Sequence, residues 1–177
     1  TIAAAGTDIA GVSDQFHFVH DPLTGDGTFT ARVASLINTN VGAKAGIMMR
    51  SSTNADAAFA AVVLTPSSGV QFRVRLTDGD TSAASSIGGI TAPRWVRLVK
   101  TGNNIAGFWS TDGITWNTVG SPQAIALGGS PRIGLAVTSR NVLTPTTAVF
   151  SNVSYLLPEG YAINDLGSPG VAGSAAF

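Results

Sequence analysis

The stretch VQFRVRL, residues 70–76, decides the fold class of this chain. Its apolar residues stand at every second position, and a glutamine and two arginines fill the positions between. Successive side chains of a β-strand point to opposite faces. The pattern therefore predicts a strand with one face on a core and its polar face turned outward.

Similar short segments recur on both sides of this stretch, separated by turn residues. The sequence predicts strands at 28–36, 43–50, 57–65, 95–101, 104–110, 133–139 and 146–156. Hairpin turns are expected at Gly102-Asn103 and at Asp112-Gly113, where glycine supplies the positive φ of a tight turn. No segment has the periodicity of a three-turn amphipathic helix. About a dozen short strands at this spacing predict an all-β fold, an antiparallel β-sandwich or jelly roll.

Composition narrows the function classes. The chain has 177 residues, which suits one main domain, and only 11% of them are charged, with a net charge of zero. A neutral surface offers no field for nucleic acid, no apolar run is long enough to span a membrane, and the absence of cysteine removes thiol chemistry. Because the sequence starts at Thr1 without a signal peptide, we expect a processed, secreted protein at the cell surface.

The C-terminal segment is apolar and strand-like, and it carries no charge after Asp165. An uncharged strand left open would seek a partner, so we expect it to dock. We predict a sandwich domain at 1–157, a linker at 158–164 and a docking strand at 165–177. The residues expected to carry this strand are Leu166, Gly170, Val171, Gly173, Ala175 and Phe177.

Five motifs resemble one group of bacterial modules. They are GTFTARV (27–33), AKAGIMMR (43–50), WVRLVK (95–100), STDGITW (110–116) and IGLAVTS (133–139). Together they resemble the concanavalin A-like sandwich modules of secreted bacterial proteins. The resemblance implies a jelly roll in an extracellular setting, and it implies carbohydrate binding rather than catalysis.

The resemblance also implies a rearrangement. Such modules commonly begin with a stretch similar to DLGSPGVAGSA, which here occupies residues 165–175 at the opposite end of the chain. Two arrangements account for this order: the strand completes its own domain, as in a circular permutant, or it inserts into a neighbouring subunit. A third interpretation, a slice of a tandem array, is the least favoured.

We favour insertion into a neighbour. Pro158 stiffens the linker, and Tyr161 and Ile163 are apolar enough to suit a contact between subunits. We predict that the strand fills a groove in an identical subunit beside an acceptor edge formed by Ile2, Ala4 and Gly6. The predicted function is a non-catalytic extracellular subunit that assembles head to tail into filaments. The alternative is a monomeric, circularly permuted module that binds polysaccharide.

Catalytic and metal-binding signals are weak. Glu159 is the single glutamate, so the carboxylate pair of a glucanase is missing. His17 and His20 point to opposite faces of a strand and cannot share a metal. Loop aspartates suit turns better than a Ca²⁺ site, which stays the weaker interpretation, and we expect no other cofactor. The loop aspartates concerned are Asp21, Asp26, Asp78 and Asp80.

Aromatic residues offer one sugar-binding signal. Phe108 and Trp109 are adjacent on a predicted strand, so at least one of them should face outward. We name Trp109 as the candidate for stacking against a sugar ring.

Overall fold

The computed structural model describes residues 1–156, which form thirteen β-strands and no helix. The predicted linker at 158–164 and docking strand at 165–177 lie outside the described residues. The strands are β1 (Ile2–Gly6), β2 (His17–Pro22), β3 (Gly27–Leu36), β4 (Lys44–Arg50), β5 (Phe59–Thr65), β6 (Gly69–Arg75), β7 (Ala83–Ile87), β8 (Arg94–Thr101), β9 (Asn104–Ser110), β10 (Asn117–Thr118), β11 (Gln123–Ala124), β12 (Arg132–Thr138) and β13 (Asn141–Leu156).

Two antiparallel sheets pack face to face, which confirms the predicted all-β sandwich. The first sheet runs β1-β13-β3-β8-β9-β10, and β11 also pairs with β9. The second sheet runs β2-β12-β4-β5-β6-β7. No helix within residues 1–156 is long and apolar enough to cross a membrane.

The core lies between the sheets, and strand alternation supplies its side chains. In β6, Val70, Phe72 and Val74 are buried as the opening stretch predicts, whereas Leu76, predicted to face the core as well, lies beyond the end of the strand and is exposed. They meet Val96 and Leu98 of β8 and Ile105 of β9 from the opposite sheet in one apolar cluster. Burying side chains of this size contributes roughly 1.5–3 kcal/mol each and is the main force that holds the sheets together.

The outward face of the second sheet is covered, which the sequence does not predict. The chain between β1 and β2 crosses this face, where Ile9 and Phe16 join a second apolar cluster with Met48 and Phe59. Of the two arginines of β6 expected in solvent, Arg75 is consequently 0% exposed and Arg73 is half-buried, and Arg50 of β4, which also contacts Asp14, is 1% exposed. These polar side chains point away from the core between the sheets, and the chain between β1 and β2 covers them as a second layer.

Turn chemistry at the two predicted hairpins is confirmed. Gly102 joins β8 to β9 with φ 58°, and Gly113 joins β9 to β10 with φ 77°. A side chain at Gly113 would also collide with the ring of Trp95, 2.8 Å from the position a Cβ would take. Strand β13 begins at Asn141 rather than at residue 146, and the short strands β7, β10 and β11 have no clear signal in the sequence.

Candidate assembly site

The predicted acceptor residues lie on an edge strand. Ile2, Ala4 and Gly6 belong to β1, which closes one end of the first sheet and pairs with β13. Ala4 and Gly6 are buried and Ile2 is half-buried, whereas Ala3 and Ala5 are exposed. The three named residues therefore share the face of β1 that lies on the core, and among residues 1–156 no strand pairs with its outer edge.

Strand β13 extends well beyond its partner β1. The β1–β13 ladder ends where Ile2 pairs with Ala148, yet β13 continues to Leu156 along β3. On the side of β13 that β1 occupies, the edge from Val149 to Leu156 has no strand partner within the described part of the chain. We call this edge, residues 149–156 of β13, the strand slot. Its eight residues span about 26 Å at strand spacing.

An apolar groove lies beneath the strand slot at residues 153–155. Its volume is about 340 Å³, and its walls come from β2, β12 and the last residues of β13. Val19 and Leu135 line it from the second sheet, and Val153 and Tyr155 line it from the first. Val19 is 49% exposed, so the two sheets do not close over their apolar interior at this edge.

Three apolar side chains of the strand slot lie on the core face of β13, whereas Leu156 at its end is exposed. Phe150, Val153 and Tyr155 are half-buried and pack against the main core. The spacing changes from three residues to two because Asn152 has φ 51° and inserts a bulge opposite β3. Asparagine tolerates this left-handed conformation better than most residues do. The bulge therefore returns Val153 and Tyr155 to the interior.

Tyr155 fixes the far end of the slot. Its hydroxyl donates to the backbone carbonyls of Thr24 and Asp26, at 3.2 and 3.3 Å, and its ring packs edge-on against Phe29. Partial burial, with a smaller effect from the nearby Asp26 carboxylate, raises the pKa of Tyr155 above its usual value. This end of the groove is thus shaped by a fixed aromatic ring.

The orientation predicted for Trp109 is wrong. In β9, Ile105 and Gly107 are buried against the second sheet, so Trp109, two residues further on, also points inward and packs against the core. Its indole nitrogen is buried without a hydrogen-bond partner among the described residues. Trp109 does not offer its ring to solvent, and Phe108 takes the outward position.

Other aromatic rings lie on the outer face of the first sheet. The Arg97 guanidinium stacks on the ring of Trp116 at 3.7 Å and donates to the Thr30 hydroxyl at 3.1 Å. Trp95, two residues before Arg97 on β8, is half-buried on the same face. These residues make a mixed aromatic and cationic patch.

The histidines and the aspartates considered as metal ligands are not brought together at one site in the described part of the chain. His17 and His20 are both exposed on β2, on opposite faces of that strand, and His20 stacks on Phe18. Asp26 accepts from Lys100 and from the Gly102 amide, and Asp78 accepts from Ser51 and from the Ala58 amide. Within residues 1–156, no cluster of three or more such side chains could hold a metal ion.

The sequence pattern assigns no role to Asp14. This residue secures the chain between β1 and β2, residues 7–16, which we call the covering segment. Its carboxylate accepts two hydrogen bonds from Arg75, at 2.8 and 2.9 Å, and lies 3.5 Å from a nitrogen of Arg50. Arg75 also donates to the carbonyls of Gly11 and Ala57. Arg50 in β4 and Arg75 in β6 were the available signal for an acid such as Asp14, because a fully buried arginine is expected to have an acid partner.

The fold has known counterparts, although sequence comparisons identify no relatives. No protein-family profile matches the chain, and no curated protein matches it. A functionally unknown protein from Saccharomyces cerevisiae has a similar structure, with a TM-score of 0.68 and 19% identity over 88% of this chain and 86% of that one.

A variant of the GH43 protein BlXynB from Bacillus licheniformis is also similar, with a TM-score of 0.56 and 13% identity. The match covers 86% of this chain but only 32% of that protein. At these identities the likeness defines the class of protein by its architecture alone, an antiparallel β-sandwich.

Proposed function

We propose that this protein is a non-catalytic, extracellular structural subunit that assembles head to tail by donating its C-terminal strand to the next copy. The observation that carries the proposal is the strand slot. Within residues 1–156 the first sheet lacks a strand over residues 149–156, and an apolar groove lies beneath that position. Within residues 165–177, the residues that follow Asp165 carry no charge and are largely apolar, and the segment is long enough to fill the slot.

Docking the strand offers a sizeable gain. Burying Leu166, Val171 and Phe177 would contribute roughly 1.5–3 kcal/mol each. The backbone of the donor would also satisfy the unpaired amides and carbonyls along β13, as in other cases of strand addition. Shielding this edge would prevent indiscriminate pairing with other chains.

Two features support exchange between copies over closure within one. Pro158 restricts the backbone shortly after β13 ends at Leu156. Tyr161 and Ile163 add apolar surface to the linker, and Leu156 and Val19 are exposed apolar residues beside the groove. An apolar linker lying on the next subunit would cover them.

The fold assignment behind the proposal is a concanavalin A-like module of secreted bacterial proteins. It is supported by the five motifs at 27–33, 43–50, 95–100, 110–116 and 133–139, which fall on β3, β4, β8, the β9–β10 turn and β12. The assignment supports the extracellular setting of the proposal, and the donated strand makes identical subunits the proposed partners. Neither nucleic acid nor a cofactor enters the proposal.

A truncated protein tests the proposal. Residues 1–164 should be a monomer with an open slot, and a synthetic peptide of residues 165–177 should bind it one to one by calorimetry. A peptide with the same composition in scrambled order is the control. If the truncated protein assembles as well as the intact chain, or binds both peptides equally, the C-terminal strand is not the connector.

A second candidate function is carbohydrate binding by a circularly permuted monomer. It is favoured by the patch of Trp95, Arg97 and Trp116, because aromatic rings and arginine side chains suit sugar faces and hydroxyl groups. A polysaccharide array with Trp116→Ala as the matched variant tests this candidate. Binding that survives this substitution would remove the patch from consideration.

A further inference from the structure

We propose that the strand slot, in line with β1, is the acceptor site, rather than the free outer edge of β1. This inference rests on the proposed strand donation and names where the donated strand binds. The donor would run antiparallel to β13 and continue β1 beyond its first residue, so that one neighbour pairs with two successive segments. The occupant is the segment 171–177 of another copy.

The two available edges differ in what lies beneath them. Strand β1 packs over β12 and β2, and β2 is the edge strand of the second sheet. A strand added outside β1 would extend past this edge and leave one face without a partner. A strand in the slot would lie over the groove lined by Val19 and Leu135. The slot therefore buries more apolar surface per residue of donor.

The length of the donor suits the slot. In the register that continues β1, Thr1 takes the position opposite Val149 and Asn152 is the extra residue of the bulge, so the slot offers six positions, which residues 172–177 fill, and Val171 falls one position beyond Leu156. The ladder of paired residues between β1 and β13 ends at Ile2 and Ala148. Continued one pair at a time, it places Thr1 opposite Val149, and then Phe177 of the donor opposite Phe150 and Ala176 opposite Ser151. This register makes the donor a direct continuation of β1.

Side-chain alternation gives the same register a second argument. The interior face of β1 carries Ile2, Ala4 and Gly6, and the same alternation continues through Phe177, Ala175, Gly173 and Val171. Phe177 and Val171, the two larger apolar residues of 171–177, therefore lie on the interior face, Phe177 within the slot and Val171 one position beyond Leu156. A slip by one residue would turn both into solvent.

Complementary size supports this register. After the bulge at Asn152, Ala175 falls beside Val153 and Gly173 beside Tyr155. The Tyr155 ring is held by two hydrogen bonds and fills its end of the groove. A glycine opposite this ring leaves room for the donor backbone to approach.

Disulfide trapping tests the site in the intact protein, which has no cysteine of its own. Ser151→Cys and Ala176→Cys are made as separate variants of the full chain, mixed and oxidised. Antiparallel neighbours lie about 4.5–5.5 Å apart between Cα atoms, within the range that a disulfide spans. We expect a disulfide-linked dimer of the two variants. Ser151→Cys mixed with Ala175→Cys is the matched control and should give at least tenfold less, because residue 175 faces the groove.

The remaining outcomes separate the site from the mechanism of assembly. If Ala176→Cys links to Ala3→Cys but not to Ser151→Cys, strands are exchanged beside β1 and the slot is wrong. If the double variant Ser151→Cys/Ala176→Cys links only within one copy, the slot is correct and exchange is wrong. If neither pair links while circular dichroism shows folded protein, both the site and strand donation are overturned.

Discussion

Asp14 is the residue on which the second layer of the sandwich depends most. Within residues 1–156 it is the one acid that contacts both Arg50 and Arg75, and all three side chains are buried. Removing one partner of a buried ion pair leaves charge without compensation, which typically costs about 3–5 kcal/mol. We expect Asp14→Asn to lower the free energy of unfolding by about this amount, measured by urea denaturation.

The matched control is Asp26→Asn, which removes a carboxylate that pairs with Lys100 at the surface. Exposed pairs contribute little to stability. Equal losses for the two variants would contradict the role assigned to the covering segment.

Asp112 gives the β9–β10 turn a dependence on pH. Hydrogen bonds from the backbone amides of Ile114 and Thr115, and then from the Ser110 hydroxyl, lower the pKa of Asp112 to about 2 from its ordinary 3.8. A lowered pKa means that the ionised group stabilises the fold above pH 3.8, and that this contribution disappears as the pH falls towards 2.

We therefore expect Asp112→Asn to be less stable than the parent protein at pH 6 and to approach it at pH 2. Urea unfolding followed by tryptophan fluorescence at both pH values measures the difference. A stability gap that stays constant with pH would show that the hydrogen bonds do not depend on the charge of this carboxylate.

At the scale of elements, the donor strand has a face that its register predicts. Phe177→Asp should weaken assembly at least about 100-fold, because it removes a buried ring worth roughly 1.5–3 kcal/mol and places a charge on the interior face of the sheet, opposite Phe150. Ala176→Asp is the matched substitution on the solvent side and should change assembly less than about tenfold. Sedimentation of the two full-length variants over a concentration series measures both.

The strands themselves follow from local sequence. Alternation in 70–76 and glycine in the turns at Gly102 and Gly113 predict β6 and both hairpins because these features act within a few residues. Trp109 shows where this reasoning stops. Two adjacent aromatic residues fix no face by themselves, and only the burial of Ile105 and Gly107 on the same strand turns Trp109 inward.

The strand slot can be predicted only when the pairing of the whole sheet is known. A strand's own sequence does not specify where its neighbour ends, and β13 is apolar on its core face both beside β1 and beyond it. Likewise, alternation alone predicts that the outward arginine side chains are exposed to solvent. Their burial follows only from the position of the covering segment, which brings Asp14 over them. Sequence periodicity defines faces, whereas topology defines what covers them.

The whole molecule is a β-sandwich with an open sheet edge within residues 1–156, and we propose that its C-terminal segment completes that edge in the next copy. Head-to-tail donation of this kind is a heterologous contact, so each copy has one donor and one acceptor. Assembly should then be open-ended and sensitive to concentration, and free peptide 165–177 should shorten the chains by occupying acceptors.

Sedimentation of the intact protein over a range of concentrations tests strand exchange most directly. The account predicts a ladder of species larger than the 17.9 kDa subunit that grows with concentration and is abolished by deleting residues 165–177. A compact monomer at the highest concentration would contradict it. The strand would then complete its own sheet, and the protein would be a circularly permuted monomer.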